Sequence, residues 1–176
     1  MTFERVRKLV VVATRGPAVL GTIAVLLLMS HTVLHLSLRA LGSPLAGTTE
    51  IAAGWYMPAV VFLGLAWAQR SNEHIEARLI FDRVPRPVQL EYQLFTYVAV
   101  LALCLVFAWF GLQEARANQA IGLTRGVTGV TVWPAKYLVP VGFAMFGAQL
   151  LVDAIRLLKT RQLPEEWDTP AAGPIV

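Results

Sequence analysis

Charged residues in this chain gather into short clusters separated by long apolar runs, and the runs set the first expectation. No charge interrupts residues 16–38, between Arg15 and Arg39, residues 51–69, between Glu50 and Arg70, or residues 92–113, between Glu91 and Glu114. A fourth run, 137–152, is shorter, but it grows to a full crossing when Lys136 and Asp153 stand near its two ends. A bilayer core of about 30 Å needs roughly 20 helical residues per crossing. The pattern therefore predicts four transmembrane helices, over about 17–38, 51–69, 90–113 and 133–158.

Composition points the same way. Of 176 residues, 56% are hydrophobic and only 15% charged, and the mean hydropathy of +0.59 is too apolar for a domain with a wetted surface. The expected fold is an all-α integral membrane protein. Residues 1–160 are expected to form a single four-helix membrane domain and 161–176 a polar, proline-containing tail.

The basic residues supply an orientation. Arg5, Arg7, Lys8 and Arg15 precede the first span; Arg70, Arg78, Arg83 and Arg86 follow the second; Arg156, Lys159 and Arg161 close the fourth. Only Arg39, Arg116, Arg125 and Lys136 fall on the other side. Basic residues of short loops stay cytoplasmic, which predicts a multi-pass protein with both termini inside. The positive balance is then a topology signal and needs no nucleic acid. The first span begins like a secretory signal, yet "LSLRALGS" puts Arg39 where a peptidase requires a small neutral residue, so it reads as an uncleaved helix.

Ionisable groups deep in a bilayer are expensive and usually functional. The interiors of spans two and three contain none, and Asp153 in span four reads as an interfacial anchor paired with Arg156 at i+3. His31 and His35 share one face of span one, the arrangement of an axial haem ligand. The third histidine, His74, falls at the opposite end by topology, so a bis-histidine haem within one subunit is geometrically poor and hydrogen bonding within the bundle or to a partner subunit is preferred. Cys104 stands alone in span three and reads as packing.

The chain holds no nucleophile beside a base, no phosphate loop and no metal-spaced Cys/His cluster, so neither an enzyme nor a cofactor is expected. The glycine-rich "GLTRGVTGVT" at 122–131 reads as an ordinary connection. Pro58 and Pro140 can kink spans two and four, but neither run is split as a complete carrier's broken helices would be. What remains is the charged stretch "SNEHIEARLIFDRVPRP", 71–87. Read as a helix over about 71–84, it gathers Ile75, Leu79 and Ile80 on one side, and Arg78, Asp82 and Arg86 follow at i+4. Pro85 and Pro87 then stop it. Such an amphipathic helix lies along the membrane surface between spans two and three.

Together these residues resemble a known family. Pro44 and Leu45, then Gly47, Thr48 and Glu50, open the second span; Phe62 to Gly64 follow within it; Arg70 and the Glu73, His74, Ile75 triplet come next, with Pro85 before the third span. "WPAKYLVPVG", with Pro140 and Gly142, matches the ending. In order and spacing, over about 17–160, the chain resembles the small membrane subunit (DctQ type) of tripartite ATP-independent periplasmic, or TRAP, transporters. It departs from that pattern at Asn72, where the family has glycine, and at Arg78, where it leans acidic.

The resemblance implies a noncatalytic subunit of a sodium-coupled secondary transporter for organic acids. Its partners would be a large permease subunit, a periplasmic substrate-binding protein and membrane lipids. Glu50, Trp55, Arg70, Glu73, His74, Ile75, Leu79 and Pro140 are the motif and interface candidates. A haem or quinone membrane anchor of a respiratory complex is the alternative, and a self-sufficient small exporter a third reading.

Overall fold

A computed structural model of the chain describes residues 3–70, 81–126 and 128–163. Among these residues, four helices are long and apolar enough to cross a membrane: Gly16–Ala40, Thr48–Gln69, Arg86–Ala120 and Trp133–Thr160, termed spans one to four. The first lies within one continuous helix, Phe3–Ala40.

Span three overshoots both ends expected from its uncharged run. At 1.5 Å per residue its 35 residues extend about 52 Å, well beyond a core of about 30 Å. The charges from Glu114 onward limit the membrane but not the helix, because Glu, Ala, Arg and Gln favour helix wherever they stand. Pro85 is its extended N-cap (ψ 147°) and Pro87 falls in its first turn, where a missing N–H costs nothing. The two prolines therefore start span three as much as they end what precedes it. Of the interfacial helix expected over 71–84, residues 71–80 lie outside the described residues, and Phe81–Arg83 forms a 3-10 turn.

Span two opens with a helical turn, Thr48–Ile51, widens into a π-helical turn over Ala52–Tyr56, and continues as Met57–Arg70. The π turn has a local cause. Pro58 lacks an N–H and its ring would collide with the Gly54 carbonyl in a regular α-helix, and the wider turn just before it makes room. Pro140 kinks nothing. A 3-10 turn, Trp133–Tyr137, precedes the helix Leu138–Thr160, so Pro140 falls in the first helical turn, where no intrahelical donor is required.

Span one packs on span two, span two on span four, and span four on span three, a row in the order one, two, four, three. Span four is its centre: 44% of its most apolar window is buried, against 11 or 12% in the others. Tyr97 and Cys104 of span three meet Leu150, Ala154 and Leu157 of span four in the core. Small residues let the helices approach. Gly142 lies so close to the Phe62 carbonyl of span two that no Cβ fits, and Gly147 faces Leu101 and Cys104.

Among the described residues, one element is not helical. Thr124–Arg125 (β1) pairs antiparallel with Val130–Thr131 (β2), with Thr124 opposite Thr131 and Arg125 opposite Val130. The glycine-rich connection between spans three and four is therefore a β-hairpin.

Candidate functional site

The hairpin folds onto the start of span two, and the sequence there is shaped for it. Gly47, Glu50 and Gly54, at i, i+3 and i+7, line one side of that segment. A Cβ on Gly47 would press on Thr128 and Val130, and one on Gly54 would strike Val132. Between these glycines the Glu50 side chain reaches the hairpin tip at Gly126, whose φ of 68° and lack of side chain both suit the contact. The Trp55 indole Nε1 donates to the Thr131 carbonyl at 2.9 Å and closes the joint. Glu50 thus meets the hairpin. At the same end Tyr137, in the 3-10 turn that opens span four, donates its hydroxyl proton to Gln119 Oε1 at the end of span three.

A second polar node joins spans one and two. The Thr48 hydroxyl is buried and lies 3.1 Å from His35 Nδ1 and 3.5 Å from His31 Nε2. It donates its single proton to the Leu45 carbonyl at 3.2 Å, so its lone pairs face the imidazoles and both rings present N–H to it. His31 also stands edge-on to Tyr56, with ring centroids 5.9 Å apart. Both histidines are thus engaged inside the bundle, as the sequence reading prefers.

The third node is broader than expected. Asp153 is buried, 6% exposed, between spans two and four, and the Arg156 charge acts on it as well. Gln69 Nε2 donates to its Oδ2 at 3.2 Å and Gln149 Nε2 to its Oδ1 at 3.1 Å. Both glutamines are buried, and Gln149 Oε1 has no hydrogen-bond partner among the described residues. The signal was present in the sequence: glutamines inside apolar runs are themselves marks of interhelical hydrogen bonding.

Of the remaining motif residues, Pro140 is buried and packs beside Gly111 of span three. Arg70 ends the second span's helix, on the side of the bundle away from the hairpin. Glu73, His74, Ile75 and Leu79 lie outside the described residues. The turn that follows them is fixed to span three: Gln89 Nε2 donates to the Phe81 carbonyl at 3.0 Å, and the Phe81 ring meets Tyr92 at 5.9 Å.

Four apolar helices in one row, joined by polar nodes and capped by a hairpin, define a small multi-pass membrane protein. Residues 28–160 match the model of the DctQ component of tripartite ATP-independent periplasmic transporters. The chain belongs to this family and is a small permease subunit of the TRAP type. It is similar to the ectoine TRAP transporter small permease protein TeaB of Halomonas elongata, 29% identical over 154 residues that cover 83% of this chain and 76% of that protein.

Proposed function

We propose that this chain is the noncatalytic scaffold of a sodium-coupled transporter, a static platform against which the large permease subunit moves its substrate-binding part. The shape of the row carries this reading. Its outer members leave apolar stripes uncovered: Leu26, Met29, Val33 and Leu36 along span one, and Phe95, Val98, Leu105 and Trp109 along span three. Such stripes suit a larger membrane partner on one side and lipid on the other. The nodes at Thr48, Glu50 and Asp153 tie neighbouring spans together, which is what a platform needs and a moving gate does not.

Both termini lie in the cytoplasm of a bacterium in this account, by the distribution of basic residues, and the hairpin with Glu50 and Trp55 faces the periplasm, where a substrate-binding protein docks. Residues 1–160 act as one membrane unit. The segment around Glu73, His74, Ile75 and Leu79 lies along the cytoplasmic surface, apolar side down. Organic acids are the proposed cargo, selected by the other two subunits.

Co-expression with the large permease subunit and the binding protein tests this. The chain should co-purify with the permease, and sodium-dependent uptake into proteoliposomes should require both. Ectoine belongs among the assayed substrates because the Halomonas relative is named for it. Uptake by this chain alone, or a Soret band in its purified form, would overturn the proposal.

A further inference from the structure

His31 and His35 stand one helical turn apart on span one, and the bundle aims a ring nitrogen of each at the same atom. His35 Nδ1 lies 3.1 Å and His31 Nε2 3.5 Å from the Thr48 hydroxyl oxygen at the start of span two. That oxygen gives its proton to the Leu45 carbonyl, so its lone pairs face the rings. Two nitrogens and one oxygen thus surround a common point, held there by two different helices. His35 is five residues, about 7.5 Å along the axis, from the end of its helix at Ala40, which places the point near the hairpin end of the bundle.

The spacing is that of a metal's ligands. Zn²⁺ takes four ligands in a tetrahedron at about 2.0–2.1 Å, which sets neighbouring ligand atoms about 3.3–3.4 Å apart. The two distances found here lie on either side of that value. Imidazole suits Zn²⁺, and two histidines at i, i+4 on one helix face are a recurrent zinc-binding pair. A neutral ring carries one proton. With a cation between the rings, that proton moves to His31 Nδ1 and to His35 Nε2, and the inward nitrogens present lone pairs. No group of three His, Cys, Asp or Glu gathers among the described residues; the third protein ligand here is a hydroxyl, brought in by packing from another span. A neutral hydroxyl is the weakest of the three, so the imidazoles carry the affinity.

We propose that His31, His35 and Thr48 bind one Zn²⁺ ion, with water in the fourth position, and that the ion pins span one to the start of span two. The test titrates the full chain, purified without a histidine tag, with Co²⁺ and then Zn²⁺. Co²⁺ should give the intense visible bands of a tetrahedral site. Zn²⁺ should abolish them, and Mg²⁺, which demands octahedral oxygen ligands, should not. His31→Ala and His35→Ala should each weaken Zn²⁺ by at least roughly tenfold, the low end of what losing even a ligand's hydrogen-bond partner costs. Thr48→Ser keeps the hydroxyl and should bind like the parent, whereas Thr48→Val should bind more weakly. His74→Ala should change nothing. The parent's melting temperature keeps the test informative if the histidine variants disturb folding: Zn²⁺ should raise it and Mg²⁺ should not. An octahedral Co²⁺ spectrum, equal competition by Mg²⁺, or a melting temperature that Zn²⁺ leaves unchanged overturns the proposal. So does unchanged affinity in both histidine variants, Thr48→Val binding as tightly as Thr48→Ser, or a loss on His74→Ala as large as theirs.

Discussion

Asp153→Leu is the sharpest perturbation of the fold, because it removes the acceptor for two buried glutamine donors at once. Gln69 Nε2 and Gln149 Nε2 then have nothing to donate to, beside an already unpartnered Gln149 Oε1. Interhelical hydrogen bonds in membranes average about 0.6 kcal/mol, which sets a floor of roughly 1 kcal/mol for the two. Leaving two buried donors unsatisfied costs about 1–3 kcal/mol each, which sets the ceiling. We expect a loss of about 2–3 kcal/mol, or roughly 5–10 °C in melting temperature for a chain of this size. Asp153→Asn should cost much less. Its amide keeps one acceptor, and a flip of the Gln149 amide lets Oε1 accept from the new N–H₂. The triple change Gln69→Leu, Gln149→Leu, Asp153→Leu should recover part of the loss, since replacing all partners by apolar groups leaves no orphan. Thermal melting of each purified variant by intrinsic fluorescence reads these differences. If Asp153→Asn costs as much as Asp153→Leu, or if the leucine variant melts like the parent, the node does not join spans two and four as described.

Three further outcomes follow from the other nodes. Thr48→Val takes the shared acceptor from His31 and His35 and should cost about 1–2 kcal/mol, with altered histidine ring signals by NMR; unchanged melting and signals would contradict the node. Gly126→Ala meets Glu50 as well as backbone strain at φ 68°, whereas Gly42→Ala, at φ 81°, has open space around it and meets strain alone. The first should lose more stability than the second and become faster to cut by trypsin at Arg125; equal losses would argue against a packed hairpin. Glu50→Gln should weaken assembly with the large subunit or the transport rate and leave substrate preference intact, as competition uptake assays can tell, and a changed preference would count against a scaffold role.

The four spans were legible because charge delimits each of them, and the histidine pair because i, i+4 spacing fixes a shared face. The hairpin was not. Each of its strands is two residues long, too short for any alternation to register, and its partner surface at Gly47, Glu50 and Gly54 is remote in sequence. The tie from Asp153 to span two was missed for a related reason: Arg156, three residues on, offers an opposite charge, while Gln69 is 84 residues away. Local spacing finds partners along a helix and misses those that only the packing order brings together. Pro140 was read as a kink because the 3-10 turn before it, which makes it a helix-start residue, leaves no mark on hydropathy.

The claim of a static scaffold is tested most directly by distance. Spin labels at Leu34→Cys in span one and Trp109→Cys in span three, both exposed positions, report the ends of the row in the assembled transporter, and buried Cys104 can be replaced by alanine beforehand. Pulsed electron resonance should give one unchanged distance distribution with and without sodium and substrate. A shift of several ångströms on adding them would mean that this subunit moves with the transport cycle, and the scaffold account would be wrong.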